Sequence, residues 1–188
     1  EALRSGAELI VDVGTNTPLK LSIKIAKMLA TGNVNDIEAL HFIRTCFIKK
    51  LDPFLNQIYL IKYKDDRPAC VVLSADSFLR EANSQSDYLG WETGWIVTNV
   101  TGKGRKYIGP KEDVSADNVI IGAWAQAFRQ NHKSCVIDCL IVEYSTGYAR
   151  WKSSPQQMIR KCAKAGCHRE TFPEKLGDLY SSDEMPLP

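Results

Sequence analysis

From Asn35 onward, Asp36-Ile-Glu38-Ala-Leu40-His-Phe-Ile43-Arg-Thr-Cys-Phe47-Ile48 places apolar residues at helical spacing. Asn35 is followed three residues later by Glu38, the form of a capping box. The spacing therefore predicts a helix that starts there and stops near Lys50, because Asp52-Pro53 disfavours the helical region for the residue before proline. Gln57 to Tyr63 then reads as a strand, Lys64 to Pro68 as a polar turn, and Ala69 to Leu73 as a second strand, which together make a hairpin. Ser74 to Ala82 has the pattern of a short helix. Three further strands are expected at Thr93–Thr101, Asn118–Arg129 and Cys135–Tyr144, so that the middle of the chain is an antiparallel sheet. Between the first two of these, Thr101 to Pro110 is too rich in glycine to pack, and its cations must project from it.

The last helix is the most informative. Ser154 stands at its cap, Pro155 suits its first position, and Gln157 completes an S-x-x-Q box. Turned by about 100° per residue, Met158, Ile159, Cys162, Ala165 and Gly166 share one arc, and Arg160, Lys161, Lys164 and His168 share the opposite one. Most charged stripes are simply solvated, but a solvated stripe usually mixes signs, and this one holds no acid. Arg169 falls on the apolar arc. A guanidinium there needs a carboxylate or phosphate partner, and either an internal Glu184 or Asp183 or a DNA phosphate would serve.

Composition narrows the class. The 188 residues, 44% hydrophobic and 24% charged, suit an ordinary globular protein, expected as a single domain over 1–188 with flanking regions outside this sequence. No apolar run of roughly 18 residues and no signal-peptide pattern occurs. Net charge is only +2, but its distribution is uneven. Lys103, Arg105, Lys106 and Lys111 fall in an acid-free stretch, and so do Arg150, Lys152, Arg160, Lys161, Lys164 and Arg169. The other 14 cations face all 22 acids, so a basic surface set in an acidic body points to a polyanion partner. Six cysteines lie largely in apolar segments and read as core thiols in a reduced setting; Cys135, Cys139, Cys162 and Cys167 with His168 also admit a zinc site, although no CxxC pair is present.

Two motifs carry a resemblance. Lys50-Leu-Asp-Pro-Phe-Leu-Asn-Gln-Ile-Tyr-Leu-Ile-Lys-Tyr63 resembles the LNPF-x-x-E-IY signature of the Bet group of phage recombination proteins, relatives of lambda Red beta in the RecT/Red beta superfamily. About a hundred residues on, Trp151-x3-Pro155-x2-Met158-Ile-Arg160-Lys161, with Arg169-x2-Phe172-Pro173, Leu179-Tyr180 and Asp183-Glu184-Met185, is similar to the same family's W-x3-P-x2-M-x-R-K to Y-x2-DE segment. Asp52 stands where the family usually has Asn, and Cys167-His168 where small or apolar residues are common. The resemblance implies an α+β, Red beta-like fold in which an antiparallel sheet and packing helices form a basic groove. It also implies rings or filaments of protomers on DNA, and neither ATPase nor nuclease activity. A companion 5′ to 3′ exonuclease, a host single-strand-binding protein and a phage-encoded origin in the bacterial cytoplasm are implied in the same way. No G-x4-GK[ST] phosphate loop is present.

Annealing requires a protein to hold phosphates while leaving base edges free to test a second strand. On that logic the expected phosphate contacts are Arg150, Lys152, Arg160, Lys161, Lys164 and Arg169, with Lys103, Arg105 and Lys106 as a second wall and Lys64 and Arg67 as weaker candidates. Trp151 and Tyr148 stand beside them as stacking groups, though packing is the commoner fate of a tryptophan, and Trp91, Trp95 and Trp124 are placed in the core or at a protomer interface. No cofactor is required; magnesium at most assists DNA binding. Two rivals come from other classes: a metal-dependent nuclease using Asp138 and Glu143, which a regular strand would put on opposite faces, and an adaptor whose basic loops meet an acidic protein.

Overall fold

The structure, a computed structural model, describes residues 9–11, 19–102, 104–110 and 112–185. It is α+β with antiparallel sheets, and its contacts divide the chain into two compact units, Glu1–Ser74 with Pro188 and Ala75–Leu187.

In the first unit β1 (Leu9–Val11) pairs antiparallel with β2 (Leu19–Leu21), and α1 (Ile23–Leu29) follows, its first turn capped by the Ser22 hydroxyl, which accepts the Ile25 N–H at 3.3 Å. The expected capping box opens α2 (Asp36–Lys49): Asn35 Oδ1 accepts the Glu38 N–H at 2.9 Å and Glu38 Oε2 accepts the Asn35 N–H at 2.8 Å. Lys50 enters the left-handed region at φ 53° and ends the helix where Asp52-Pro53 predicts. The hairpin also forms, as β3 (Ile58–Ile61) against β4 (Cys70–Leu73), with Ile58 opposite Leu73. Glu38 does more than cap. Its carboxylate accepts the Ala69 N–H at 2.8 Å and the Lys62 ammonium at 3.0 Å, so one side chain ties the helix start to the hairpin. Backbone N–H donation from Asn35 and then Ala69, helped by Lys62, holds this carboxyl down at about 2.

The second unit opens with α3 (Ala75–Asn83) and continues through β5 (Tyr88–Asn99), β6 (Lys106–Ile108), β7 (Asn118–Arg129) and β8 (Cys135–Leu140). These strands form one antiparallel sheet in the order β6-β5-β7-β8. Helices α4 (Ile141–Tyr144), α5 (Ala149–Ser153), α6 (Pro155–Thr171) and α7 (Pro173–Leu176) follow. Ala123, Ala125 and Ala127 of β7 present only methyl groups to α6, which lets the helix lie close and bury Met158, Ile159, Cys162, Ala163 and Cys167 against them.

Three local expectations are corrected. The strand expected over Cys135–Tyr144 stops at Leu140 and turns into α4: β7 carries an irregularity between Gly122 and Ile120, beyond Gly122 it no longer pairs with β8, and the chain must satisfy its backbone locally. The glycine-rich stretch is not wholly a loop, since Lys106–Ile108 pairs with β5 and buries Ile108. Ser154 makes no capping hydrogen bond with its side chain, because it also closes α5: its N–H bonds to the Arg150 carbonyl at 2.8 Å, which sets its backbone away from capping geometry.

Candidate nucleic-acid interface

The basic stretch from Tyr148 to Arg169 spans α5 and α6, and Trp151 fixes it to the unit. Its indole is only 4% exposed and packs in the cluster with Met158, Ile159 and Cys162, so it is a core anchor and cannot stack on a base. Arg150 and Lys152 flank it on a one-turn helix and therefore point to either side, both exposed. Tyr148, at the cap of α5, is 68% exposed and is free of the core.

On α6 the four residues of the cationic arc have different fates. Arg160 is exposed, and its Cζ lies 5.6 Å from the centre of the half-buried Trp95 ring on β5. That contact restrains the side chain without neutralising it. Lys161 reaches Asp183 at 3.5 Å. Lys164 reaches Asp76 of α3 at 2.7 Å, and this ion pair, with the hydrogen bond it contains, lowers the Asp76 carboxyl. The segment lacks acids in sequence, but α3 and the stretch after α7 supply them in space.

His168, expected among the cations, is fully buried. Its Nδ1 lies 2.7 Å from the Lys164 carbonyl and must donate to it; in the neutral ring Nε2 then accepts from the Tyr88 hydroxyl at 2.8 Å. Burial favours the neutral imidazole and lowers its pKa, and burial likewise pushes the Tyr88 hydroxyl up to about 12. The ring edge of Trp91 and the ring of Tyr88 crowd the same imidazole. The wheel fails here because the sheet wraps α6 more widely than a single apolar arc. Arg169 takes the internal partner: Nη1 and Nη2 meet the two carboxylate oxygens of Glu184, each at 2.9 Å, and Tyr180 covers the guanidinium with its ring centre 4.6 Å from Cζ. Glu184 also accepts the Ser181 N–H at 2.8 Å, so the fork closes the turn after Leu179.

The remaining candidates fall elsewhere. Lys103 lies outside the described residues. Lys106 is opposite Val97, two positions from the Trp95–Ile108 pair, so alternation puts it on the face of the sheet that carries Trp95, and hence on the side of Arg160. Arg105 instead borders an apolar pocket of about 410 Å³ with Ile120, Ile121, Leu140, Ile141 and Val142. The two do not form one wall. Lys64 and Arg67 are exposed on the β3–β4 turn of the first unit, where the Arg67 N–H closes the turn on the Lys64 carbonyl at 3.2 Å.

Among the described residues, Arg105, Lys106, Arg150, Lys152 and Arg160 enter no ion pair. Trp95 is the member of this site that the sequence did not single out. Only the fold brings it under Arg160, 65 positions away. Trp124 is held by a hydrogen bond from Nε1 to the Ile108 carbonyl at 3.0 Å, and Gly94 makes the room: a Cβ there would meet that indole nitrogen at 2.6 Å. Asp138 accepts the Tyr107 hydroxyl, which raises the tyrosine's pKa, while Glu143 sits on α4 beyond the end of the strand. Four cysteines are buried core thiols, and burial raises them, Cys46 to about 12 and Cys139 to about 11.

An α+β unit with unneutralised cations and an aromatic under one of them has the make-up of a polyanion-binding protein. The sequence profile of the RecT family matches residues 16–187. The chain belongs to that family, and it is a single-strand annealing protein of DNA recombination. Comparison with curated proteins returned no match. Among the described residues no helix is long and apolar enough to cross a membrane.

Proposed function

We propose that the chain anneals complementary DNA strands without ATP, gripping the sugar-phosphate backbone of single-stranded DNA through Arg150, Lys152, Arg160 and Lys106, with Tyr148 stacking beside them. One observation carries this reading: among the described residues Arg150, Lys152, Arg160 and Lys106 are exposed and enter no ion pair, whereas Lys161, Lys164 and Arg169, from the same acid-free run as the first three, are ion-paired. Phosphates can neutralise them, and phosphate contacts leave nucleobases unread and free to pair. The Trp95 ring restrains Arg160, which lowers the entropy lost when it takes a phosphate. Lys161, Lys164 and Arg169 belong to the support of this surface rather than to its contact face.

One protomer of this size meets only a few nucleotides, so useful affinity comes from many protomers on one strand, in a ring or a filament. Lys64 and Arg67, on the first unit, are weaker candidates for phosphate contact. Neither a nucleotide nor a metal is needed for the pairing step, magnesium serving only to screen the two strands, and a 5′ to 3′ exonuclease and a host single-strand-binding protein act before and beside it. The test is an annealing assay with complementary oligonucleotides in the absence of ATP. Rapid pairing by the wild type, lost in an Arg150→Ala/Lys152→Ala/Arg160→Ala variant, is expected; equal rates for the two would sink the assignment.

A further inference from the structure

Two apolar features remain unused by this reading, one on each unit. On the first, the turn after α2 is rigid: Leu51 and Pro53 are buried, the Asp52 carboxylate accepts the Phe54 N–H at 2.8 Å, Gln57 Oε1 accepts the Asp52 N–H at 3.0 Å, and the Asn56 N–H meets the Pro53 carbonyl at 3.2 Å. Yet this turn holds Phe54 and Leu55 more than half exposed, and Phe47 and Ile48 in the last turn of α2 are as exposed. Two adjacent large apolar side chains left in water on a turn that hydrogen bonds hold in place are the signature of an interface, because a preorganised anchor loses little entropy on docking. On the second unit, the pocket bordered by Ile120, Ile121, Leu140, Ile141 and Val142 has room for large side chains, and Val142 at its edge is 85% exposed.

We propose that the Phe54–Leu55 knob of one copy seats in the Ile120–Val142 pocket of the next, joining protomers head to tail. This inference rests on the homo-oligomer reading above and names the surfaces that it needs. Their chemistry matches. Asp52 stands at the base of the knob, and Arg105, which enters no ion pair among the described residues, stands at the rim of the pocket. Each copy carries one knob, on the first unit, and one pocket, on the second, so the contact is heterologous: every addition leaves a free knob and a free pocket, and growth continues until it closes into a ring or runs on as a helix. Neither surface includes Arg150, Lys152 or Arg160.

Light scattering after size exclusion, with and without a long oligonucleotide, tests this on the full chain. Wild type should form large assemblies. Phe54→Asp/Leu55→Asp keeps a pocket and loses the knob, and Val142→Arg keeps the knob and fills the mouth of the pocket; each alone should run at the 21.1 kDa of one chain. Mixed in equal amounts they should form a pair of twice that mass and grow no further. Phe54→Ser/Leu55→Ser, with circular dichroism, guards against loss of folding in the charged knob variant. Variants that assemble like wild type, or monomeric variants that fail to pair when mixed, overturn the assignment of these surfaces. A wild type that stays monomeric even on DNA overturns the homo-oligomer reading itself.

Discussion

Residues 150–169 contain two regions that look alike in sequence and differ in space. Arg150, Lys152 and Arg160 are exposed and enter no ion pair among the described residues, whereas Lys161, Lys164 and Arg169, up to nineteen positions further on, are bound to Asp183, Asp76 and Glu184. Both sets come from the same acid-free run. The difference lies in what the fold sets opposite each of them: the side chains of Arg150, Lys152 and Arg160 project into solvent, and those of Lys161, Lys164 and Arg169 meet acids from α3 and from the segment after Leu179. An acid-free stretch therefore does not amount to a bare cationic surface, because neutralising groups arrive from anywhere in the chain. Ion pairs also differ in weight. The Arg169–Glu184 fork is mostly buried, while the Asp76 end of the Lys164 pair is 91% exposed and solvent weakens it.

The largest effect should come from breaking the buried fork. Glu184→Ala leaves a guanidinium without its partner and should cost about 3–5 kcal/mol, which for a chain of this size lowers Tm by roughly 10 °C in a thermal melt. An Arg169→Leu/Glu184→Leu pair should recover much of that loss, since it buries no charge. Should Glu184→Ala leave Tm unchanged, the distinction between supporting and contact cations collapses.

Next come the unpaired cations. Each phosphate contact contributes about 0.7 to the salt dependence of single-strand binding, so the Arg150→Ala/Lys152→Ala/Arg160→Ala variant should bind about a hundredfold more weakly near 0.1 M salt, with a slope shallower by about 2 and an unaltered Tm. Fluorescence anisotropy over a salt series measures both quantities. A slope equal to that of wild type would move the DNA to another surface.

A smaller effect is expected from His168. Its pKa is lowered in the folded protein from 6.5, so the unfolded chain takes up a proton first; the stability this neutral ring contributes is complete above 6.5 and drains away as pH falls through the lower folded value. Melts from neutral to mildly acidic pH should show Tm falling for wild type and a flatter profile for His168→Gln. If both curves run parallel, the buried imidazole is not what senses acid. The smallest change belongs to Lys164→Ala, which should cost less than about 1 kcal/mol and leave DNA affinity within twofold, because an ion pair whose acid is exposed is worth little.

Much of the fold was legible in the chain. Asn35 and Glu38 announced the start of α2, Asp52-Pro53 its end, and the alternation of Asn118–Arg129 its central strand, all within the stated bounds. These features are local, set by neighbours a few residues apart, and local physics is written in order along a sequence. The two motifs and the cationic run likewise pointed to the RecT family and to a polyanion partner before any coordinates. Tertiary structure alone decided the rest. It chose Glu184 for Arg169, drew His168 and Trp151 into the core, set Trp95 beneath Arg160 and ended β8 at Leu140. Each of these outcomes depends on which groups from distant segments come within a few ångströms, and the energy of a charge or an aromatic ring is fixed by those neighbours rather than by the residues beside it in the chain.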